Sequence, residues 1–275
     1  MTTAVEAVPF IEGIVYGEGP RWHDGRRWFS DGPAGKVYSA GESGDIAVEA
    51  EVERASGLGW LPDGTLVVSA LFDAKIHYLD SSGGATATHD LSDIAHSTND
   101  LVVTPDGRVY VDLYGTTGAI GLVDSNGAVR VVASGLAMPN GLGFLPGGST
   151  LVVSETTGSR ILAFDVESDG TLGAPTVFAN LGRERQPDGL CVDVEGGVWV
   201  GCVTAREFLR VVAGGTVTHR VAIDRGWAIA PALGGADGCT LYMVVDDTTI
   251  EGVAKGESTG WIMQARVGVP GAGSP

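Results

Sequence analysis

Residues 138–156 read MPNGLGFLPGGSTLVVSET, and their pattern recurs along the chain. Two apolar runs flank a Gly-Gly pair at 147–148. Gly-Gly between apolar runs is a strong hairpin signal, because both turn residues need a positive φ. The stretches NDLVVTPDGRVY (99–110) and PDGLCVDVEGGVWVG (187–201) follow the same pattern. The sequence therefore predicts a chain built from repeated β-hairpins.

This hairpin unit recurs along the whole chain. Six units begin at residues 18, 56, 99, 140, 188 and 227. Each contains an apolar strand, a tight turn, a second strand and a third strand, and variable stretches such as AVEAEVER (47–54) supply a fourth. A period near 40 residues with about four strands is typical of propeller blades. The sequence predicts an all-β, six-bladed β-propeller with about four antiparallel strands per blade. A pentein or a β-sandwich with similar hairpins is the structural alternative, which the regular phase of the six units disfavours.

The two chain ends complete this picture. The apolar stretch VPFIEGIVY (8–16) is predicted to join the last blade and close the ring. We expect one propeller domain over residues 1–268 and a flexible C-terminal tail over 269–275. The start of the chain carries no signal-peptide pattern, and no run approaches the roughly 18 apolar residues of a membrane span. We expect a cytoplasmic protein that is a monomer or small homo-oligomer.

Charge and cysteine content narrow the function classes. The formal net charge is −17 over 275 residues. A surface this acidic repels phosphate backbones and anionic lipid, so nucleic acid and membrane are not expected partners. The three cysteines, Cys191, Cys202 and Cys239, show no Cys-x-x-Cys spacing, which disfavours a disulfide framework or a zinc site.

The position at the start of the first strand of each unit is occupied mostly by polar residues that could bind a ligand. In a propeller that strand lines the central channel, so these residues converge at one end of the axis. Read across the units, they are Glu18, Ser56, Asn99, Asn140, Asp188 and Trp227. Four of the six offer the oxygen atoms that hard cations prefer. The sequence thus predicts a divalent-cation site of Glu18, Asn99, Asn140 and Asp188.

Ordinary turns are the alternative interpretation of Asn140-Gly141 and Asp188-Gly189. Both units, however, already have a Gly-Gly turn downstream, at 147–148 and 196–197. Convergence of Glu18 and Asp188 would bring two buried carboxylates together, and they repel unless a counter-charge is present. A divalent cation supplies it. Calcium accepts such a mixed oxygen set, whereas magnesium and manganese require tighter geometry.

A serine-hydrolase pattern also occurs in the chain. Residues 256–260 read GESTG and match G-x-S-x-G around Ser258. That motif works on a strand-to-helix elbow, whereas here it is predicted to lie in a polar loop before a strand. Serine chemistry is therefore not expected.

Four segments together resemble the SMP-30/gluconolactonase/luciferin-regenerating family of six-bladed propellers. They are GEGPRW (17–22), NDLVVTPDGRVY (99–110), MPNGLGFLPGGSTLVVSET (138–156) and PDGLCVDVEGGVWVG (187–201). The resemblance implies one divalent cation held by Glu18, Asn140 and Asp188, with Asn99 at or beside it and facing substrate. Calcium comes first, and zinc, manganese or magnesium serve in different members. It also implies lactonase activity, commonly on sugar lactones, with Asp188 as general base.

The chain departs from this family ahead of Asn99. Sugar-lactone members commonly carry an arginine there, whereas this chain has Ala-His-Ser-Thr at 95–98. Many bacterial members also have Thr-Asp-Pro where this chain has Asp-Leu-Tyr at 112–114. Trp60 and Trp227 are expected to add aromatic bulk near the channel mouth. The polar grip on a sugar is thus predicted to be reduced.

The sequence predicts a metal-dependent lactonase that opens a small lactone, either a sugar lactone or a less hydroxylated one. Polarisation of the carbonyl by the cation and attack by water are the expected chemistry, with Asp188 as the base. Asn99, Ser97 and Trp227 are expected to contact substrate, and His96 is an outside candidate for proton transfer. Two alternatives stay open: an organophosphate triesterase on the same site, and a non-hydrolytic, metal-stabilised binding protein or isomerase.

Overall fold

The structure is a computed structural model that describes residues 2–114 and 117–273. Within these residues the chain forms 25 strands and one short helix, and the strands are arranged in six sheets. This architecture is the predicted six-bladed β-propeller with about four antiparallel strands per blade. None of the described residues belongs to a helix with the length and hydrophobicity that a bilayer crossing requires.

Elements are numbered in chain order, starting with β1 (Thr3–Ala4) and β2 (Val8–Ile14). From the channel outward, blade one consists of β3 (Gly17–His23), β4 (Arg26–Asp31), β5 (Lys36–Ala40) and β6 (Ile46–Glu51). Blade two consists of β7 (Ala55–Trp60), β8 (Leu66–Ala70), β9 (Lys75–Leu79) and β10 (Ala85–Asp90). Blade three consists of β11 (Ser97–Val103), β12 (Val109–Tyr114), β13 (Gly118–Val123) and β14 (Val129–Leu136).

The second half of the ring repeats this order. Blade four consists of β15 (Pro139–Phe144), β16 (Thr150–Glu155), β17 (Arg160–Asp165) and β18 (Thr176–Asn180). Blade five consists of β19 (Pro187–Val192), β20 (Val198–Cys202), β21 (Glu207–Val212), β22 (Thr216–Ala222) and, outermost, β1. Blade six consists of β23 (Trp227–Gly234), β24 (Thr240–Asp247), β25 (Thr259–Arg266) and β2, with helix α1 (Ile250–Lys255) between β24 and β25.

The N-terminal segment closes the ring, as predicted. Strand β2 pairs antiparallel with β25 and is the outer strand of blade six, with Val8 opposite Gln264. Strand β1, which was not predicted, pairs in parallel with β22, and Thr3 lies opposite His219. The first residues of the chain therefore join blade five to blade six.

Burial explains why the strands differ in sequence. A blade in the ring is covered on both faces by its neighbours, so its middle strands are apolar without alternation. All five residues of β8, LVVSA, are buried, whereas five of the six residues of the outer strand β10, ATATHD, are exposed. Apolar side chains from adjacent blades pack between the sheets. For example, the rings of Tyr110 in blade three and Phe144 in blade four pack edge to face, with their centroids 5.7 Å apart.

A β-bulge near the start of each inner strand shapes the channel. In β15, Pro139 lies opposite Glu155 and Leu142 opposite Val153, so Asn140 and Gly141 together face one residue of β16. A Cβ atom on Gly141 would lie 2.5 Å from the backbone nitrogen of Leu190 in the next inner strand. Asn140-Gly141 is therefore not a turn, because the glycine is required by close approach of a neighbouring strand.

The C-terminal residues contact the end of the channel that lies opposite these bulges. Backbone hydrogen bonds run from Val194 N to Pro270 O, from Gly271 N to Gly238 O and from Ala272 N to Val192 O, at 2.9 to 3.0 Å. Part of the predicted flexible tail, residues 270–272, thus pairs with blades five and six. Residues 274 and 275 of that tail lie outside the described part of the chain.

Candidate active site

The candidate site lies at the end of the channel where the six inner strands begin, here called the upper end. The four residues predicted to bind a cation, Glu18, Asn99, Asn140 and Asp188, all lie there, in the inner strands of blades one, three, four and five. Each is at least 94% buried. Because every inner strand carries its bulge at this level, side chains from blades far apart in sequence face the same axis.

Asn99 connects three blades through hydrogen bonds. Its side-chain Nδ2 donates to Asn140 Oδ1 at 3.1 Å, and its Oδ1 accepts from Ser56 Oγ at 2.5 Å. Its backbone N–H donates to Asp112 Oδ1 at 2.6 Å. These bonds fix the orientation of the Asn99 amide, and they place Asn140 Oδ1 next to it.

Glu18 is a buried carboxylate that accepts only long hydrogen bonds from its neighbours. Tyr16 Oη lies 3.5 Å from Glu18 Oε1, and the Gly19 backbone N–H is 3.4 Å from Oε2, both long for hydrogen bonds. Burial raises the pKa of Glu18 well above its usual range, and the negative charge of Asp188 raises it further. The protein itself therefore offers little that stabilises the Glu18 carboxylate.

Asp188 is less satisfied still. Its Oδ1 atom is buried and has no hydrogen-bond partner among the described residues. Burial and the charge of Asp100 raise the pKa of Asp188 to about 7, although the Asn140 amide and the Gly189 backbone N–H act in the opposite direction. A buried carboxylate oxygen without a donor is costly, so its presence indicates that something other than the protein binds it.

A third carboxylate in the channel is fully compensated. Asp100 Oδ1 accepts from Arg21 Nη2 at 2.7 Å, and both side chains are buried. The Arg21 guanidinium also donates to the carbonyl oxygens of Leu58, Pro20 and Leu101, each at 2.9 Å. Arg21 is thereby committed to Asp100, and it leaves Glu18 and Asp188 without a protein counter-charge.

This arrangement fits a divalent cation. Two carboxylates and two carboxamides form a hard-oxygen donor set, and a cation would neutralise the charges that Glu18 and Asp188 cannot neutralise themselves. Among the described residues, no three or more Asp, Glu, His or Cys side chains form a cluster that could hold a metal ion. The candidate set contains only two such residues, so the carboxamides of Asn99 and Asn140 are needed to complete it.

The structure corrects the position of two tryptophans. In blade six the bulge lies between Ala228 and Pro231, so Ile229, and not Trp227, matches the ligand position of blades three, four and five. Trp227 lies two residues earlier, is partly buried and packs against the core of blades six and one. Trp60 ends β7, about 13 Å along the strand from Ser56, where it stacks on His23 with ring centroids 4.0 Å apart. The expectation that Trp60 lies near the upper mouth is wrong.

Ser97 and His96, both expected to take part in the reaction, differ in exposure. Ser97 is buried; its Oγ donates to Thr98 O at 3.0 Å and accepts from Phe72 N at 2.8 Å. Its hydroxyl proton is thus engaged within the protein. His96 is exposed, and its backbone N–H bonds to Tyr114 O. A substrate role for Ser97 and a proton-transfer role for His96 stay predictions.

Three residues of the site were not identified from the sequence: Tyr16, Tyr114 and Asp246. Tyr114 ends the second strand of blade three, Asp246 is the penultimate residue of the second strand of blade six, and Tyr16 precedes β3. Asp246 Oδ1 accepts from Gly17 N at 3.1 Å, which holds the backbone beside Glu18. Tyr114 and Asp246 share one signal, a polar residue at or next to the end of the second strand, where Asp31 and Glu155 also lie.

Comparison with known proteins agrees with this architecture. The chain is 26% identical to a 6-deoxy-6-sulfogluconolactonase of Pseudomonas putida, over 95% of this chain and 94% of that protein. It is 27% identical to a pentonolactonase of Haloferax volcanii, over 89% of this chain and 87% of that protein. A calcium-binding protein, regucalcin, from Agrobacterium tumefaciens has the same fold, with a TM-score of 0.83, 21% identity, and coverage of 98% and 97% of the two chains.

The family assignment rests on most of the chain. The model of the SMP-30/gluconolactonase/LRE-like region matches residues 16–246. That interval begins at Tyr16 and ends at Asp246, and it contains all four candidate cation ligands. The chain therefore belongs to the SMP-30/gluconolactonase/LRE-like family.

Proposed function

We propose that this protein is a divalent-metal-dependent lactonase that hydrolyses a small lactone at the upper end of the channel. The carrying observation is the pair Glu18 and Asp188, two buried carboxylates without a protein counter-charge that lie beside the carboxamides of Asn99 and Asn140. The names of the two sequence relatives, both sugar-acid lactonases, support the reaction class. The calcium-binding fold neighbour supports a cation, with calcium as the first choice and zinc, manganese or magnesium as alternatives.

Glu18, Asn140 and Asp188 would hold the cation, with Asn99 at its edge. When bound, a divalent cation supplies a Lewis acid for the lactone carbonyl and neutralises developing negative charge. Asp188 Oδ1, which has no partner among the described residues, accepts a proton from the attacking water. Asn99 is held on both sides by Ser56 and Asn140, so its amide is positioned in advance to orient substrate.

Neighbouring side chains in the channel fix the positions of the site residues without neutralising Asp188. Arg21 satisfies Asp100 and uses its remaining donors on backbone carbonyls, so it does not neutralise Asp188. Asp112 accepts the backbone N–H groups of Asn99 and Asp100 at 2.6 and 3.1 Å, which fixes the bulge of β11. Asp100 and Asp112 thus have their own donors, whereas Asp188 Oδ1 and Asp246 Oδ2 have no hydrogen-bond partner among the described residues.

A lactone panel tests the proposal. Purified protein is assayed against glucono-δ-lactone, a pentonolactone, δ-valerolactone and one phosphotriester, each with and without a chelator, and spontaneous opening is subtracted. We expect turnover of at least one lactone, its loss in chelator and its return when a divalent salt is added. Elemental analysis after gentle dialysis is expected to give about one divalent ion per chain.

Other outcomes point elsewhere. Full lactone turnover in chelator by metal-free protein would exclude the cation from the reaction. Turnover of the phosphotriester alone would favour the triesterase alternative. Tight binding of a lactone without hydrolysis would favour a binding protein.

A further inference from the structure

Tyr114 brings an unused hydrogen-bond donor to the upper end of the channel. It ends β12 and lies opposite Ser97 in the register with β11, two residues before Asn99. Its hydroxyl oxygen is buried and has no hydrogen-bond partner of normal geometry among the described residues. The Asn99 side chain lies near this oxygen and acts on it as a donor, so the proton of the Tyr114 hydroxyl is still unused. Buried polar groups nearly always have a partner, so an unpaired phenol beside a candidate ligand indicates a bound molecule that completes it.

The surroundings of Tyr114 determine what that molecule offers. A tyrosine hydroxyl has an ordinary pKa of about 10. The phenol is therefore neutral near pH 7 and acts as a donor. The bound molecule must therefore offer an acceptor oxygen to the Tyr114 hydroxyl.

A lactone has three kinds of oxygen. The carbonyl oxygen is the atom that the proposed reaction polarises at the cation. The ring oxygen is a poor acceptor, because its lone pair is delocalised into the carbonyl group. Hydroxyl oxygens on the ring are good acceptors. Resting on the proposed function, we infer that the Tyr114 hydroxyl donates a hydrogen bond to a ring hydroxyl of the substrate, and that Tyr114 thereby selects hydroxylated lactones.

The test compares two lactones and three proteins. Glucono-δ-lactone and δ-valerolactone share a six-membered ring, and only the first carries hydroxyls. kcat/KM is measured for both with the wild type, Tyr114→Phe and Tyr110→Phe. Tyr110 is the matched control: it lies on the same strand, and its hydroxyl donates to Gly170 O at 2.8 Å, away from the site. The affinity of gluconate, the ring-opened product, is measured by calorimetry as a readout that does not depend on turnover.

We expect Tyr114→Phe to lower kcat/KM for gluconolactone roughly 10- to 100-fold and that for valerolactone less than threefold. Gluconate affinity is expected to fall about tenfold or more, and Tyr110→Phe to change neither quantity. Equal losses on both lactones, or unchanged gluconate binding in Tyr114→Phe, would overturn the inference. If the wild type opens no lactone, the proposed reaction fails separately, and gluconate binding still decides the role of Tyr114.

Discussion

Two aspartates at opposite ends of one strand behave in opposite ways. Asp188 lies at the upper end of β19, and Asp193 follows its lower end. Both are buried. Asp193 accepts from Arg210 Nε at 2.6 Å and Nη2 at 3.1 Å, and from the backbone N–H groups of Glu195 and Gly197 at 3.0 Å. Asp188 has an oxygen without any partner among the described residues.

The difference separates a structural carboxylate from a functional one. Asp193 is supplied with a cation and backbone donors by its own blade, so its charge stabilises the turn after β19 and the third strand of blade five. Asp188 is left incomplete at a point where three other blades converge. An unpaired carboxylate oxygen where inner strands of several blades converge favours a ligand at that point, which makes Asp188 the better marker of function.

The largest expected effect is on catalysis. Asp188→Asn removes the proposed base and one of two ligand charges, so lactone kcat/KM is expected to fall by about two to four orders of magnitude. The variant is expected to fold with an unchanged or higher thermal midpoint, because a buried charge without a protein partner is removed. Steady-state kinetics and thermal unfolding check both parts. A variant with wild-type kcat/KM would remove Asp188 from the mechanism.

The matching change at the other end of the strand should affect stability instead. Arg210→Met leaves Asp193 buried without its cation, and the free energy of unfolding is expected to drop by about 3–5 kcal/mol. Below its unfolding temperature the variant should keep wild-type kcat/KM. Adding Asp193→Asn should recover part of the lost stability. If Arg210→Met lowers kcat/KM in fully folded protein, the two ends of β19 are not separable.

Cation binding is also expected to distinguish Asp188 from the Asp193–Arg210 pair. Calcium at about 100 times its dissociation constant should stabilise the wild type by about 2.7 kcal/mol. The increase in thermal midpoint should persist in Arg210→Met and largely vanish in Asp188→Asn. Differential scanning fluorimetry with and without calcium measures it, and magnesium and manganese are run in parallel. An equal increase in Asp188→Asn would place the cation elsewhere.

The smallest expected effect is at Ser258. This residue lies in the loop between α1 and β25, and its Oγ is 2.5 Å from Thr248 Oγ1. It is not on a strand-to-helix elbow, so Ser258→Ala should change kcat/KM by less than about twofold. A folded but inactive Ser258→Ala protein would replace the metal mechanism with serine chemistry.

Much of the fold could be predicted from the sequence, because hairpin turns and apolar strands recur at a nearly constant period. The period also aligned Glu18, Asn99, Asn140 and Asp188, and the structure brings all four to one end of the channel. In blade six the alignment was wrong. A bulge is set by the register between strands, which a single sequence does not display, and it puts Ile229 at the ligand position instead of Trp227.

Other parts of the site depend on pairings that no local pattern reveals. Tyr114 lies at the site because it ends β12 and pairs with Ser97 of β11. Arg21 neutralises Asp100, although the two residues are 79 positions apart in the sequence. The sequence predicts that kcat/KM for an aliphatic or aromatic lactone equals or exceeds that for gluconolactone. Tyr114 predicts the opposite order. The two-lactone comparison decides between them.

The closure of the ring has a consequence for biosynthesis. Val8 pairs with Gln264, so the second strand to leave the ribosome has no partner until nearly the whole chain has been made. At about 5–20 residues per second, this interval is on the order of ten to fifty seconds. During that time blade six is incomplete, because β25 has not yet been made and cannot pair with β2. The N-terminal strand β2 is meanwhile an unpaired, partly apolar segment that can associate with other chains. Premature termination before β25 would therefore release a chain with an open ring and a free N-terminal strand, a form prone to aggregation.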